Sequence, residues 1–226
     1  MPNSKKKILV WGGKSQTRIL LEFIDKKDKI IAIVDPFLKK NSFNTKIPFI
    51  NNKKNFLKII KKSNFFIVGI GGEYGNVRKK ISEKLIDLGL IPMNVIHRNS
   101  YIDKTCKIGN GIQIMPGVNV NCFTKIGDYT ILNTSSTIDH ECVIGSGVHL
   151  MGNSYVGGRV IIEDNVTIGS NAIIFPDIKI EKGAFVGAGS VVRKNVKKNQ
   201  IVVGNPAKFL KKKISILNLG FLSEIK

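Results

Sequence analysis

His140 is the residue of this chain whose type and neighbours best suit acid–base chemistry. A histidine can take a proton at neutral pH from an attacking amine or hydroxyl. Such a base needs an acceptor on its other ring nitrogen, and Asp139 and Glu141 both offer a carboxylate beside it. From these residues alone, a solvated surface histidine is the competing interpretation.

The other histidines and the cysteines form no metal-binding or disulfide pattern. His97 has no acidic or metal-ligand companion near it in the sequence, which favours a packing or capping role. His149 lies nine residues beyond His140. The three cysteines fit no zinc or disulfide spacing, and we interpret them as structural: Cys106, Cys122 and Cys142. We therefore expect no metal site.

A six-residue repeat must position His140, because an aliphatic residue recurs every six positions from Ile102 to Val192. A helix would show a period of about 3.6 and a half-buried strand a period of about 2. A period of six predicts short parallel strands joined by tight turns and wound into a solenoid. Glycine or an acidic residue often follows the aliphatic one, and we expect the backbone to bend there. The repeat runs through Ile102, Ile108, Ile114, Val120, Ile126, Leu132, Ile138, Ile144, Leu150, Val156, Ile162, Ile168, Ile174, Ile180, Val186 and Val192.

Residues 1–96 alternate between apolar strands and helices with helical apolar spacing. We expect strands at 8–11, 30–34 and 65–68 and helices at 17–24, 56–60 and 77–88. This βαβαβ order predicts a small parallel sheet with a Rossmann-like arrangement.

Ligands of such sheets bind at the carboxyl ends of the strands, which here are residues 12–17, Asp35 and residues 69–75. These segments are rich in glycine and small polar residues, as a nucleotide pocket requires. Asp35 can accept a hydrogen bond from a ribose hydroxyl or a base N–H, or it can serve as a turn residue before Pro36. Residues 12–17 do not form G-x-G-x-x-G, which argues against a dinucleotide-dependent dehydrogenase. The candidate substrate-binding residues in the first segment are Lys14, Ser15 and Gln16.

The composition is that of a globular protein, and its extreme value is a formal net charge of +20 over 226 residues. The lysines are spread along the chain, which favours a general preference for lysine over a nucleic-acid or membrane patch. The same charge also attracts polyanionic small molecules such as nucleotides. The apolar run 8–11 is too short for a signal peptide and no stretch approaches a membrane span, so we expect a cytoplasmic protein.

The segment 133–145, which contains Asp139-His140-Glu141, resembles the matching coil of the hexapeptide-repeat sugar acetyltransferases. That family includes UDP-4-amino-sugar N-acetyltransferases and sialic-acid O-acetyltransferase-like proteins. An α/β domain before the solenoid and the exit turn Gly204-Asn205-Pro206-Ala207 are similar as well. The resemblance implies a Rossmann-like nucleotide-sugar-binding domain (1–96), a left-handed parallel β-helix acyltransferase domain (97–208) and a C-terminal tail (209–226). The sequence leaves open whether the tail is helix or strand.

In this family three hexads make one coil, so the resemblance implies that residues eighteen apart are neighbours. His140 would then be the general base, with Glu141 as the residue that orients its ring. Gly158 would lie one coil away, where its amide N–H can bind the oxyanion formed from acetyl-CoA.

The resemblance also assigns binding roles in the solenoid. Asn133 matches a residue that contacts the acceptor sugar, and His149 matches one that approaches the thioester. Because His140 and His149 lie half a coil apart, a site that uses both implies a homotrimer with acyl-CoA between neighbouring solenoids. The residues that the resemblance assigns to the wall of the CoA groove are Ser170, Gly187 and Ala188.

The expected activity is acetyl-CoA-dependent N-acetylation of a nucleotide-linked 4-amino-4,6-dideoxy sugar. O-Acetylation of sialic acid or another sugar hydroxyl is the near alternative. A metal-dependent lyase of the γ-carbonic-anhydrase kind is disfavoured, because it needs three histidine ligands and His97 lies outside the repeats. One departure from the family stands out, since its usual first loop, Gly-x-Ser-Gly-His-Gly, is Gly-Gly-Lys-Ser-Gln-Thr at residues 12–17.

Overall fold

The structure, a computed structural model, describes residues 5–25, 27–214 and 217–225. Residues 1–4, 26, 215–216 and 226 lie outside the described residues. The first part of the basic N-terminus, one lysine of the run 26–29 and Ile216 of the tail therefore fall outside it.

The chain divides into two compact units. The first contains the described residues up to Ile70, those of Lys80–Val95 and those from Asn218 onward. The second contains Gly71–Lys79 and the described residues of Ile96–Leu217. Residues 71–79, which precede the expected boundary at residue 96, thus belong to the solenoid unit.

The first unit is an α/β fold built on one parallel sheet. Its strands are β1 (Lys7–Trp11), β2 (Lys29–Val34), β3 (Phe49–Ile50), β4 (Phe65–Val68) and β5 (Ile91–Pro92). The helices in this part of the chain are α1 (Ser15–Leu21), α2 (Lys53–Ile60) and α3 (Gly75–Asp87). The strand order is β3-β2-β1-β4-β5, and every pair is parallel. The three expected strands and three expected helices are present. Strands β3 and β5 were not predicted, because two-residue strands show no periodicity.

The core of this unit lies against the central strand β1, where Ile8, Leu9 and Val10 are buried. The end of the chain completes this core. A 3₁₀ helix at Gly220–Glu224 brings Phe221 within 5.5 Å of the Trp11 ring, measured between centroids. The tail therefore ends in a short helix that belongs to the α/β unit. Among the described residues, no helix has the length and apolar character needed to cross a bilayer.

The second unit is a parallel β solenoid made of two-residue strands. Strand β6 (Val95–Ile96) precedes it, and the repeat itself forms β7 (Tyr101–Ile102), β8 (Lys107–Ile108), β9 (Gln113–Ile114), β10 (Asn119–Val120), β11 (Lys125–Ile126), β12 (Ile131–Leu132), β13 (Thr137–Ile138), β14 (Val143–Ile144), β15 (His149–Leu150), β16 (Tyr155–Val156), β17 (Ile161–Ile162), β18 (Thr167–Ile168), β19 (Ile173–Ile174), β20 (Lys179–Ile180), β21 (Phe185–Val186) and β22 (Val191–Val192). Each predicted aliphatic residue is the second residue of one of these strands. Every third strand joins the same sheet, so three parallel sheets form the faces of the solenoid.

The register of these sheets pairs each residue with the one eighteen positions later, as in Thr137 with Tyr155 and His149 with Thr167. The inward aliphatic residues from Ile114 onward are buried. This parallel arrangement of hexapeptide strands fits a left-handed β-helix.

The corners of the solenoid differ from the prediction in one respect. The residue directly after each aliphatic one does not make the bend. The left-handed backbone occurs three positions after the aliphatic residue, at residues such as Phe123, Tyr129 and Glu141. Glycine after the aliphatic residue instead permits close contact between coils, because a methyl group on Gly127 would lie 2.7 Å from the Ser146 nitrogen.

After the repeat, β23 (Gln200–Val203) pairs in parallel with β21, and β24 (Lys208–Lys212) returns antiparallel to β23. A turn at residues 204–207 connects the two strands and contains a cis peptide bond between Asn205 and Pro206. The predicted exit turn is therefore present, and the tail begins as a strand.

Candidate active site

His140 and Glu141 lie at the corner that follows β13. The left-handed backbone of Glu141, with φ 58°, belongs to this corner, and its carboxylate approaches the preceding ring. The His140 Nδ1 and a Glu141 carboxylate oxygen are 2.9 Å apart. Since a carboxylate only accepts hydrogen bonds, Nδ1 carries the proton in this pair and Nε2 presents its lone pair. This is the tautomer that a general base requires.

Gly158 lies directly beside the free nitrogen of His140. Its coil is the next one along the solenoid, and the Arg159 N–H donates to the His140 carbonyl at 2.9 Å. A methyl group on Gly158 would lie 2.6 Å from His140 Nε2. In the part of the chain that the structure describes, the Gly158 N–H has no acceptor. An imidazole nitrogen with a free lone pair and a main-chain N–H donor therefore lie together at one point on the solenoid.

Asp139 stabilises the main chain at this corner. Its Oδ1 accepts from the His140 N–H at 2.8 Å, and its Oδ2 accepts from the Tyr155 hydroxyl at 3.1 Å. Asn121 adds a third donor at 3.2 Å. The His140 N–H is the main cause that lowers the pKa of Asp139. Asp139 therefore fixes the backbone of His140, while Glu141 contacts the ring.

His149 lies on a different sheet of the solenoid, on β15, and its side chain is buried. Its Nδ1 is 2.9 Å from the Gly72 carbonyl oxygen, and its Nε2 is 3.4 Å from the Asn133 side-chain nitrogen. A carbonyl only accepts, so Nδ1 carries the proton and Nε2 accepts from Asn133. Burial lowers the pKa of His149 to about 4, which keeps the ring neutral at physiological pH.

The predicted residues thus fall into two groups within the solenoid unit. His140 and Gly158 follow strands of one sheet, whereas Asn133 and His149 belong to another. The predicted CoA-groove residues also follow strands of the second sheet, and the Gly189 N–H donates to the Ser170 carbonyl at 2.8 Å. These groove residues are Ser170, Gly187 and Ala188. Among the described residues, no hydrogen bond joins the residues of one group to those of the other.

The α/β unit contains the remaining predicted residues. Lys14 precedes α1, and Ser15 and Gln16 begin it. The Asp35 carboxylate is buried and accepts from the Gly13 N–H at 2.9 Å and from the Phe37 N–H at 3.0 Å. The turn interpretation of Asp35 explains both bonds.

The properties of the three cysteines fit structural residues and not reactive thiols. All three are free thiols, and burial raises the pKa of Cys142 to about 11. Within residues 5–25, 27–214 and 217–225, no three His, Cys, Asp or Glu side chains lie close enough together to hold a metal ion.

Sequence reasoning missed Arg78 and Gly72. Arg78 is fully buried and lies on the apolar face of α3 with Ile81 and Leu85. An arginine at a core position of a predicted helix is the signal that could have drawn attention to it. Gly72 carried no comparable signal, since its contact with His149 spans 77 positions.

Two protein-family models match the solenoid. The model for the bacterial transferase hexapeptide (six repeats) matches residues 141–176, and that for the hexapeptide repeat of succinyl-transferase matches residues 159–194. The first match lies inside the stretch in which the six-residue period was found, and the second extends two residues beyond its end at Val192. The first match includes Glu141 and Gly158 of the candidate site.

A relative with known function matches the chain over part of its length. Chloramphenicol acetyltransferase from Klebsiella aerogenes is 43% identical over 68 residues. The match covers 30% of this chain and 32% of that protein, so the chain spans about a third of the length of this relative.

Solved structures match nearly the whole chain. One is GDP-perosamine N-acetyltransferase from Caulobacter crescentus, solved as a histidine-to-alanine mutant with CoA and GDP-perosamine. Its TM-score is 0.83 at 25% identity, and the match covers 91% of this chain and 97% of that one. WeeI from Acinetobacter baumannii AYE has a TM-score of 0.79 at 29% identity, over 91% of this chain and 100% of its own. The repeat and the two family models together show that residues 141–194 are similar to the hexapeptide repeats of bacterial transferases, and the chain resembles these solved structures over nearly its whole length.

Proposed function

We propose that the protein transfers an acetyl group from acetyl-CoA to the amino group of a nucleotide-linked 4-amino-4,6-dideoxy sugar. The observation that carries this proposal is the cluster of His140, Glu141 and Gly158. The structural relative from Caulobacter crescentus, a perosamine N-acetyltransferase bound to CoA and GDP-perosamine, supports the choice of donor and acceptor.

The chemistry follows from the two ring nitrogens of His140. Glu141 holds Nδ1, and Nε2 takes a proton from the amine as its nitrogen attacks the thioester carbonyl. The Gly158 N–H donates to the oxygen that gains negative charge. The C–N bond forms and the C–S bond breaks. The coenzyme leaves as its thiol, with the proton that His140 took from the amine.

The α/β unit is proposed to be a Rossmann-like domain that binds the nucleotide. Its strand order reverses between β1 and β4, and ligands of open parallel sheets bind at such a point. Gly12 follows β1 and Gly69 follows β4, and a methyl group on Gly12 would lie 2.7 Å from the Gly69 carbonyl oxygen. Both glycines are buried, so we propose that the binding surface comes from the residues that follow them in the chain, among them Lys14, Ser15 and Gln16.

The two groups of solenoid residues support a further part of the proposal. If His149, Asn133 and the groove residues bind acetyl-CoA and sugar beside His140, another subunit must supply one group. We therefore propose a homotrimer with three sites, active in the cytoplasm. Sedimentation equilibrium tests this part directly, and a monomer with full activity contradicts it.

The activity can be tested with purified protein, acetyl-CoA and a panel of UDP-, dTDP- and GDP-linked 4-amino-4,6-dideoxy sugars. Thiol release is followed together with the mass of the sugar product. Sialic acid and the matching 4-hydroxy sugars serve as acceptor controls. An amide product with one amino sugar, absent with its hydroxyl analogue, supports the proposal. Release with hydroxyl acceptors alone contradicts N-acetylation and indicates O-acetylation.

A further inference from the structure

The segment Gly71–Lys79 lies on the solenoid and belongs to the same compact unit. Its Gly72 carbonyl accepts the Nδ1 proton of His149. This bond decides which ring nitrogen of His149 is protonated, and so decides that Nε2 is an acceptor. Whatever holds Gly72 in place therefore controls the chemical character of His149.

Arg78 makes the buried polar contacts that hold this segment. Its Nε donates to the Tyr129 carbonyl at 3.1 Å. Its Nη2 donates to the Gly147 carbonyl at 2.9 Å and to the Val148 carbonyl at 3.2 Å. Tyr129 and Gly147 are corner residues of successive coils, and Val148 directly precedes His149. The guanidinium thus connects two coils beside the histidine.

The other anchors of the segment depend on shape or have an exposed partner, as in the ion pair at 3.2 Å between Lys213 and Glu73, the residue after Gly72. Lys79 and Asp164 form a half-exposed ion pair at 3.0 Å. Gly75 approaches the Gly147 carbonyl so closely that a methyl group there would overlap its oxygen. Arg78, in contrast, is fully buried, and a bond from a buried charged donor is worth more than one at the surface.

We propose that Arg78 is a positioning residue that holds Gly72 against His149 and thereby keeps His149 in the Nδ1-protonated form, with Nε2 as a hydrogen-bond acceptor. The kinetic consequence rests on the proposed function, in which His149 lies in the acetyl-CoA groove. There, an N–H of the pantetheine chain would replace the Asn133 amide as the donor to this fixed acceptor. A ring that exchanges its proton between nitrogens offers this acceptor for only part of the time.

The side chain at position 78 cannot be exchanged freely for another cation. Nε and Nη2 of a planar guanidinium reach carbonyls on two coils at once, whereas a lysine ammonium is a single point of charge. Arg78→Lys therefore keeps the charge but cannot make the same set of bonds. Lys79→Gln is the matched control, because it loosens the same segment without touching the carbonyls beside His149.

The test uses the full-length protein labelled with ¹⁵N in histidine. Long-range ¹H–¹⁵N spectra report the tautomer of each imidazole. We expect wild-type His149 to be protonated on Nδ1, and we expect Arg78→Lys to give averaged ring-nitrogen shifts while Lys79→Gln keeps the wild-type shifts. Arg78→Gln, if it folds, extends the series.

Two results would overturn the proposal. One is a wild-type His149 protonated on Nε2, which requires no variant at all. The other is a folded Arg78→Lys protein with unchanged His149 shifts.

In the kinetic test, KM for acetyl-CoA should rise about five- to tenfold in Arg78→Lys, as for one lost hydrogen bond, with little change in kcat. An unchanged KM would also count against the proposal.

The spectra do not depend on catalysis. If the wild-type protein acetylates no amino sugar but the His149 tautomer responds to Arg78 as expected, the proposed function fails and the positioning role stands.

Discussion

His140 and Gly158 are eighteen residues apart in the sequence and adjacent in space. A methyl group on Gly158 would lie 2.6 Å from His140 Nε2, which is closer than a carbon atom can approach a ring nitrogen. The proposed base and the proposed oxyanion donor therefore depend on a glycine at this position.

Replacing Gly158 with alanine should push the His140 ring out of place. We expect kcat to fall by about a hundredfold or more, as for the loss of an oxyanion donor, with a smaller change in KM. Steady-state kinetics by thiol release measure both. The matched control is Gly152→Ala, because a methyl there meets only the Thr134 carbonyl oxygen, at 3.4 Å. Equal activity in the two variants would refute the role of Gly158.

Replacing Glu141 with glutamine tests how the ring is oriented. The amide keeps the size of the side chain but loses the charge that favours a protonated His140 as the reaction proceeds. We expect kcat to fall by at least about tenfold, within the range that general-base catalysis supplies. Because Glu141 has a left-handed backbone, glutamine is a safer change than a β-branched residue. A variant with wild-type kcat would show that His140 needs no carboxylate partner.

His149 makes the stability of the protein depend on pH. Burial lowers its pKa from 6.5 to about 4, so the unfolded chain binds more protons than the folded one between these values. Stability should therefore fall as the pH falls through this window, by roughly 2 to 3 kcal/mol at pH about 4.5. Urea unfolding at several pH values measures this effect. His149→Asn should show a smaller loss over the same range, and identical curves would contradict the assignment.

Cys142 should resist alkylation in the folded protein. Its side chain is fully buried, and burial raises its pKa to about 11. At pH about 8, only about one thiol in a thousand would be ionised. Peptide mass spectrometry after treatment with iodoacetamide should find Cys142 unmodified, and modified once urea is added. Rapid modification of the native protein would contradict the burial of this thiol.

The solenoid could be predicted in detail because its constraint is local. One inward aliphatic residue is needed every six positions, and the family resemblance, with three hexads to a coil, implies the register. Thr137 pairs with Tyr155, as the eighteen-residue spacing requires. The resemblance to hexapeptide-repeat sugar acetyltransferases was predicted from the residues around His140, and the family-model matches and the solved structures confirm it.

The surroundings of His149 could not be predicted in the same way. Its partner Gly72 and the nearby Arg78 come from a distant part of the chain, and a repeat pattern contains no information about a segment that lies across it. The place of the tail is similar, since Phe221 contacts Trp11 at the other end of the sequence. In both cases long-range packing, and not periodicity, determines the position.

The most direct test of the proposed mechanism is kcat for His140→Asn, measured by thiol release with acetyl-CoA and the accepted amino sugar. We expect kcat to fall by about a hundredfold or more, while the Kd for CoA, measured by calorimetry, stays close to that of the wild type. This result would show that His140 acts on the reacting amine and not on binding. A kcat within about threefold of the wild-type value, in a folded variant, would contradict the proposal that His140 is the base.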